Sequence, residues 1–157
     1  MDFSIRGYRD GDAPALIEVF ERSVRVLAPA KYSDMQVAAW LSGPRDARVW
    51  NRRILEREAY VAERRDGRIV GWIEMENDGH LDFLYCTPDA AGKGIADMLY
   101  AVLIAGARKL GVKKLRTEAS RFAESFFSRH GWRVDQRESI HRAGIRIDRA
   151  LMSFDLR

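Results

Sequence analysis

The chain has 157 residues, with 27 Lys and Arg against 23 Asp and Glu and a formal charge of +4. That length suits one domain with a real core, residues 1–157, and is short for two; no uncharged apolar run approaches the ~20 residues of a membrane span. Cys86 is the one cysteine, so no internal disulfide forms, and a reduced, cytoplasmic setting is expected.

The basic excess is mild and interleaved with acids, which suits an anionic small ligand and is no nucleic-acid footprint. The opening Met1–Arg6 lacks the apolar core of a signal peptide. Phe3 and Ile5 alternate with polar residues as a short strand. Asp12 is placed to cap a helix with Pro14 in its first turn and Leu16, Ile17, Val19, Phe20, Val24 and Leu27 on its apolar face. Ser33-Asp34-Met35-Gln36 has the form of a capping box before a short helix through Leu41. Val49, Trp50 and Ile54 suggest another turn or two.

The period then changes. Ala59–Ala62 reads as a strand, Asp66-Gly67 as a hairpin turn, and Ile69–Glu76 as a strand with Gly71 at a bulge. After Asn77-Asp78-Gly79, the alternation of Leu81, Phe83 and Tyr85 predicts a strand over 80–86 with one apolar face. A glycine-bearing turn follows. Then Ile95, Met98, Leu99, Val102, Leu103 and Leu110 mark one stripe of a long helix. Gly106 on that stripe permits close packing, and Gly111 ends the helix. Leu115–Ala119 is a strand. Ser120 is placed to cap a helix carrying Phe122, Phe126 and Phe127. Trp132–Ile140 and Met152–Leu156 are strands, with a loop at Arg142-Ala143-Gly144. The order β-α-α-β-β-β-α-β-α-β-β describes an α/β domain, a mixed sheet with helices on its faces.

The turn before the long helix bears chemistry. A helix start leaves N–H groups unpartnered at the positive end of the macrodipole, and glycines let a phosphate reach them. Ala91-Gly92-Lys93-Gly94 therefore reads as a phosphate cradle or as a plain tight connection. It is neither a P-loop nor a three-glycine dinucleotide fingerprint.

Three ordered motifs carry a resemblance. Ala91-Gly92-Lys93-Gly94-Ile95-Ala96 is similar to R/Q-x-x-G-x-G/A, with Ala91 at the Arg or Gln position. Leu81–Pro88 is similar to L-x-x-L-Y-V-x-P, and Phe126–Trp132 to F-Y-E-K-L-G-F. Over most of its length the chain resembles the GNAT N-acetyltransferase superfamily. The resemblance implies a splayed sheet and an acetyl-CoA-dependent N-acyltransferase that moves an acetyl group onto an amine by direct attack. It implies that Ala91, Gly92, Lys93, Gly94, Ile95 and Ala96 hold the CoA pyrophosphate and that Leu84, Tyr85 and Cys86 pair with the pantetheine arm. Ser120 and Phe127 complete the expected cofactor-binding set.

Phe127 stands where the family's acid tyrosine stands and has no proton to give. Tyr85, Tyr32 or a water are substitutes, and Phe122, Phe126 and Phe127 are read first as core packing. His80 is the candidate base or a half-exposed turn residue. Glu74 and Glu76 are proton relays or a solvated sheet face, and Asp82 orients His80 or is a surface charge. Cys86 reads as a buried small hydrophobe, and His130 as a charge partner at a helix C-terminus. With three scattered histidines, no metal is expected. The acceptor is expected between residues 28–33 and 139–149, the latter with Arg142, Arg146, Arg149 and Asp148. The alternative function is a non-catalytic acyl-CoA-binding module or sensor. Expected partners are acetyl-CoA and an amine, with neither nucleic acid nor membrane; a homodimer is left open.

Overall fold

The sheet comes in two antiparallel halves. The computed structural model describes residues 2–156; Met1 and Arg157, the ends of the expected domain, lie outside them. The first half runs β1 (Phe3–Gly7), β2 (Glu58–Arg64), β3 (Ile69–Met75), β4 (Leu81–Cys86) in that order. The second places β7 (Ile145–Asp155) between β5 (Lys114–Ser120) and β6 (Arg133–Arg142). A parallel bridge between His80 and Arg116 links the halves, so the expected mixed sheet is present with its parallel element reduced to that contact.

Helix α4 (Ile95–Lys109) and α5 (Glu124–Arg129) cover one face, over a core of Ile73, Leu99, Leu103, Leu115 and Met152. Helices α1 (Ala13–Leu27), α2 (Asp34–Trp40) and α3 (Ala47–Leu55) cover the other, over Leu16, Phe20, Trp50, Val61 and Trp72. The capping box forms: Gln36 N–H donates to Ser33 Oγ at 3.1 Å, and Ser33 N–H to Gln36 Oε1 at 3.0 Å. α3 is a full helix because the Asp46 carboxylate accepts from the N–H groups of Arg48 and Val49. Gly106 has the predicted purpose, since a Cβ there would meet Tyr60 Oη at 2.6 Å.

Other expectations need correction. Asp12 precedes α1 without capping it; its carboxylate is taken by the Arg6 guanidinium and Arg9 N–H. Burial pushes that carboxyl up, but these donors outweigh it and hold it below the usual range. The stripe of α4 is rotated: Tyr100, Ile104 and Ala107 are buried, whereas Met98 and Leu110 are each 48% exposed. Phe122 is exposed as well. Ser120 accepts from Ala123 N–H in the turn ahead of α5 and does not cap the helix itself. The bulge near Gly71 is real, with Val70 as the extra residue between pairs Gly71–Ala62 and Ile69–Glu63.

The correction with most consequence lies in β4. Glu74 pairs with Phe83 but Met75 pairs with Leu81, so Asp82 is an extra residue. An inserted residue inverts the pleat. Leu81 therefore joins Leu84 and Cys86 beneath α4, while Phe83 and Tyr85 face α1 and α3. The apparent alternation of Leu81, Phe83 and Tyr85 is broken between its first two members.

Candidate active site

β4 and β5 start together and then separate. Arg116 N–H donates to Gly79 O at 3.0 Å, and the Thr117 hydroxyl to Leu81 O at 2.7 Å. Beyond that point no ladder joins them among the described residues. A cleft of about 820 Å³ opens there, lined by Leu84, Tyr85 and Cys86 on one side and Glu118, Ala119 and Ser120 on the other. The β4 bulge supports this parting, because an unpaired extra residue bends and twists its strand.

One end of the cleft reaches the glycine turn. Ala91, Gly92, Gly94, Ile95 and Ala96 line it, while the exposed Lys93 side chain does not. Gly92 and Gly94 sit at φ +74° and +79°, and a Cβ on either would meet nothing within 4 Å. The turn is thus open, with α4 amides at its base. Asp97 stands in the first turn of α4, where it accepts from Arg129 Nη1 at 2.9 Å and pairs with His130 Nε2 at 2.7 Å. Burial raises its carboxyl, but the contacts with Arg129 and His130 outweigh it and keep it below the usual range. His130, expected to serve its own helix end, thus bridges to α4.

The other end is aromatic. Phe20, Trp40, Trp50, Phe83 and Tyr85 line it, with Tyr32. Arg53 lies 4.6 Å over the Trp50 ring and 4.7 Å over Phe83, which favours both contacts as cation–π pairs. Tyr32 closes the wall by accepting from Arg121 N–H at 2.7 Å, and Gln36 Nε2 reaches Arg146 O at 3.0 Å. The segments expected to flank the acceptor both arrive here, through Tyr32 and through Ile140, Arg142, Ile147 and Arg149. Arg146 is turned away onto Asp148 and Ser139.

The predicted catalytic residues separate on inspection. Only Tyr85 lines the cleft; His80, Glu76 and Glu74 do not. Burial drives the Tyr85 hydroxyl far above its ordinary range, which makes it a poor proton donor. Glu74 is no solvated face. It is fully buried and accepts from Arg53 Nε and Nη2, Arg57 Nη1 and Trp72 Nε1. Asp82 pairs with Arg57 at 2.8 Å rather than orienting His80. His80 is held between carboxylates, with Nδ1 2.8 Å from Glu76 Oε1 and Nε2 2.8 Å from Glu118 Oε2. Burial pulls its imidazole down, but the two carboxylates outweigh it and raise the pKa above 6.5. Cys86 is only partly buried, packed against the core beneath α4, and burial pushes its thiol up to about 12. Phe127 is 2% exposed, packed on Phe126 and Trp132, and still forms part of the cleft wall.

Glu118 and the aromatic wall escaped the sequence reading. Arg116, Glu118 and Ser120 form the polar side of β5 at period two, but nothing in that pattern says the side faces a cleft.

The family model described as "Acetyltransferase (GNAT) domain" matches residues 28–149. The chain belongs to the GNAT acetyltransferase family. The crystal structure of a GCN5-related N-acetyltransferase from Rhodopseudomonas palustris is 27% identical. It superposes with a TM-score of 0.90 over 99% of this chain and 97% of that one. PaiA N-acetyltransferase from Thermoplasma acidophilum, solved in complex with coenzyme A, gives a TM-score of 0.80 at 21% identity, over 99% of each chain. The uncharacterized N-acetyltransferase YafP of Escherichia coli K12 is 28% identical over 143 residues, 91% of this chain and 89% of that one. The two crystal structures share this chain's architecture of antiparallel sheets flanked by helices. No helix among the described residues is long and apolar enough to cross a membrane.

Proposed function

We propose that the protein transfers an acetyl group from acetyl-CoA to an amine by direct attack. The observation that carries this reading is the gap between β4 and β5 ending at the open glycine turn. Amides of Gly92, Lys93, Gly94, Ile95 and Ala96 suit a pyrophosphate, and Ala91 contributes backbone only. The edge of β4 at Leu84, Tyr85 and Cys86 is free to pair with the amides of a pantetheine arm. Ser120 and Phe127 border the sulfur-bearing end, and the acceptor enters from the aromatic side. The coenzyme A complex of PaiA supports the same ligand class.

Deprotonation of the amine is assigned to Glu118, which lines the cleft, backed by His80 2.8 Å behind it. Glu74 is assigned to holding Arg53 and Arg57 in place. No acid is assigned. Phe127 has no proton to give, and the departing sulfur takes the second proton of the attacking nitrogen.

The second reading, a non-catalytic acyl-CoA sensor, is favoured by Phe127 alone. Thiol release measured across a panel of primary amines, beside calorimetry with acetyl-CoA, separates the two. Turnover is expected; tight binding with no turnover on any amine selects the sensor.

A further inference from the structure

Five arginines line the cleft, and carboxylates hold four of them: Glu21 holds Arg45, Glu74 holds Arg53, Asp97 holds Arg129 and Glu138 holds Arg149. Arg142 has no carboxylate partner among the described residues. It stands exposed at the end of β6, and its charge reaches the Tyr85 hydroxyl across the cleft. The sheet register puts it in line with Glu118. Glu118 pairs with Leu151, which pairs with Gln136; two residues on, Arg149 pairs with Glu138, then Ile147 with Ile140 and Ile145 with Arg142. Paired residues share a face and alternate residues keep it, so Glu118, Arg149, Ile147, Ile140 and Arg142 project from one face. All five line the cleft. Gln136 is level with Glu118, and Arg142 stands six residues further along β6. At ~3.3 Å per residue that is ~20 Å of strand. Even with both side chains reaching inward, the two charges stay further apart than the amine and carboxylate of an α-amino acid. Between them the face is apolar, Ile140 and Ile147, and Phe20, Trp40 and Tyr85 bring rings to the same stretch.

We propose that the acceptor is an amine on an aromatic frame that carries a carboxylate at the end remote from its nitrogen, and that Arg142 selects it. The inference rests on the acetyl-transfer reading above and names its substrate class. The ammonium group enters beside Glu118 and the ring fills the apolar stretch. The carboxylate ends at the guanidinium whose fork no acidic side chain of the protein takes. A carboxylate placed next to the nitrogen would instead lie against Ile147 and the rings, where it loses water and finds no free cation.

The test is kcat/KM for acetyl transfer to 4-(2-aminoethyl)benzoate, 2-phenylethylamine and phenylalanine. The first is expected to exceed the second ~5-fold at low salt, the upper end for an exposed ion pair, and to lose that margin at ~0.5 M NaCl. Phenylalanine is expected to do no better than 2-phenylethylamine. In Arg142→Gln the ratio of the first two amines falls to unity. Arg146→Gln, which changes an arginine of the same hairpin outside the lining, keeps the wild-type ratio. A wild-type ratio of unity, a ratio that survives in Arg142→Gln, or one lost equally in Arg146→Gln overturns the proposal while leaving acetyl transfer intact. Turnover confined to amines without a ring does the same. Tight acetyl-CoA binding with no turnover on these amines or the wider panel refutes acetyl transfer itself, and this inference with it.

Discussion

Glu74→Gln tests whether the buried carboxylate is structural. The side chain is 0% exposed and accepts four hydrogen bonds, three of them from Arg53 and Arg57. Removing one member of a buried ion pair costs ~3–5 kcal/mol. The partner arginines are 25% and 16% exposed at the side chain, so water screens part of the charge left behind. Arg57 also keeps Asp82. A loss of about 2–4 kcal/mol follows, with ~3 kcal/mol lowering Tm by ~6–12 °C for a chain of this size. The assay is urea unfolding followed by Trp fluorescence, since Trp50 and Trp72 lie beside the pair. An unchanged m-value with a lower midpoint is expected. A loss below ~1 kcal/mol refutes the reasoning. A kcat–pH profile shifted as in a base mutant would return Glu74 to the proton path.

Gly94→Val places a β-branched residue at φ +79° with its side chain in the mouth of the cradle. Acetyl-CoA affinity should fall at least ~10-fold, read by calorimetry, because the side chain stands in the phosphate's approach to the amides; wild-type affinity would remove the cradle. Gly71→Ala brings a Cβ to 3.0 Å from Cys86 Sγ and 3.1 Å from Tyr85 O. It should press on β4 where the cleft opens and lower acetyl-CoA affinity more than it lowers Tm. Stability should also track His80. Its folded pKa is raised, so its contribution is full below the unfolded value of ~6.5 and fades as pH rises through the folded value. His80→Gln should flatten the pH dependence of unfolding over that window, and a wild-type slope in the variant would contradict the raised pKa.

The order of elements was legible because period and turn chemistry agreed locally. Ser33 and Gln36, Asp66-Gly67 and Gly111 each act through neighbours within a few residues. The glycine turn was legible for the same reason. What stayed hidden depends on partners far along the chain. Asp12 looked like a cap because nothing local says that Arg6 lies within reach of it. Glu74 looked solvated because Arg53 and Arg57 meet it only after α3 packs. The bulge at Asp82 is invisible in β4 alone, since it exists only against the register of β3. Glu118 required knowing that β5 sits across from the turn at His80, a separation of 38 residues.

The parted strands make the molecule an incomplete sheet whose missing member is not encoded in the chain. A guest that fills the slot adds backbone pairing and excludes water from two edges at once, so occupancy becomes a folding force. At a concentration ~100 times its Kd such a guest adds ~2.7 kcal/mol to the unfolding free energy. A cell short of that guest would hold a looser, more protease-sensitive population, and abundance of the protein would then follow supply of the metabolite.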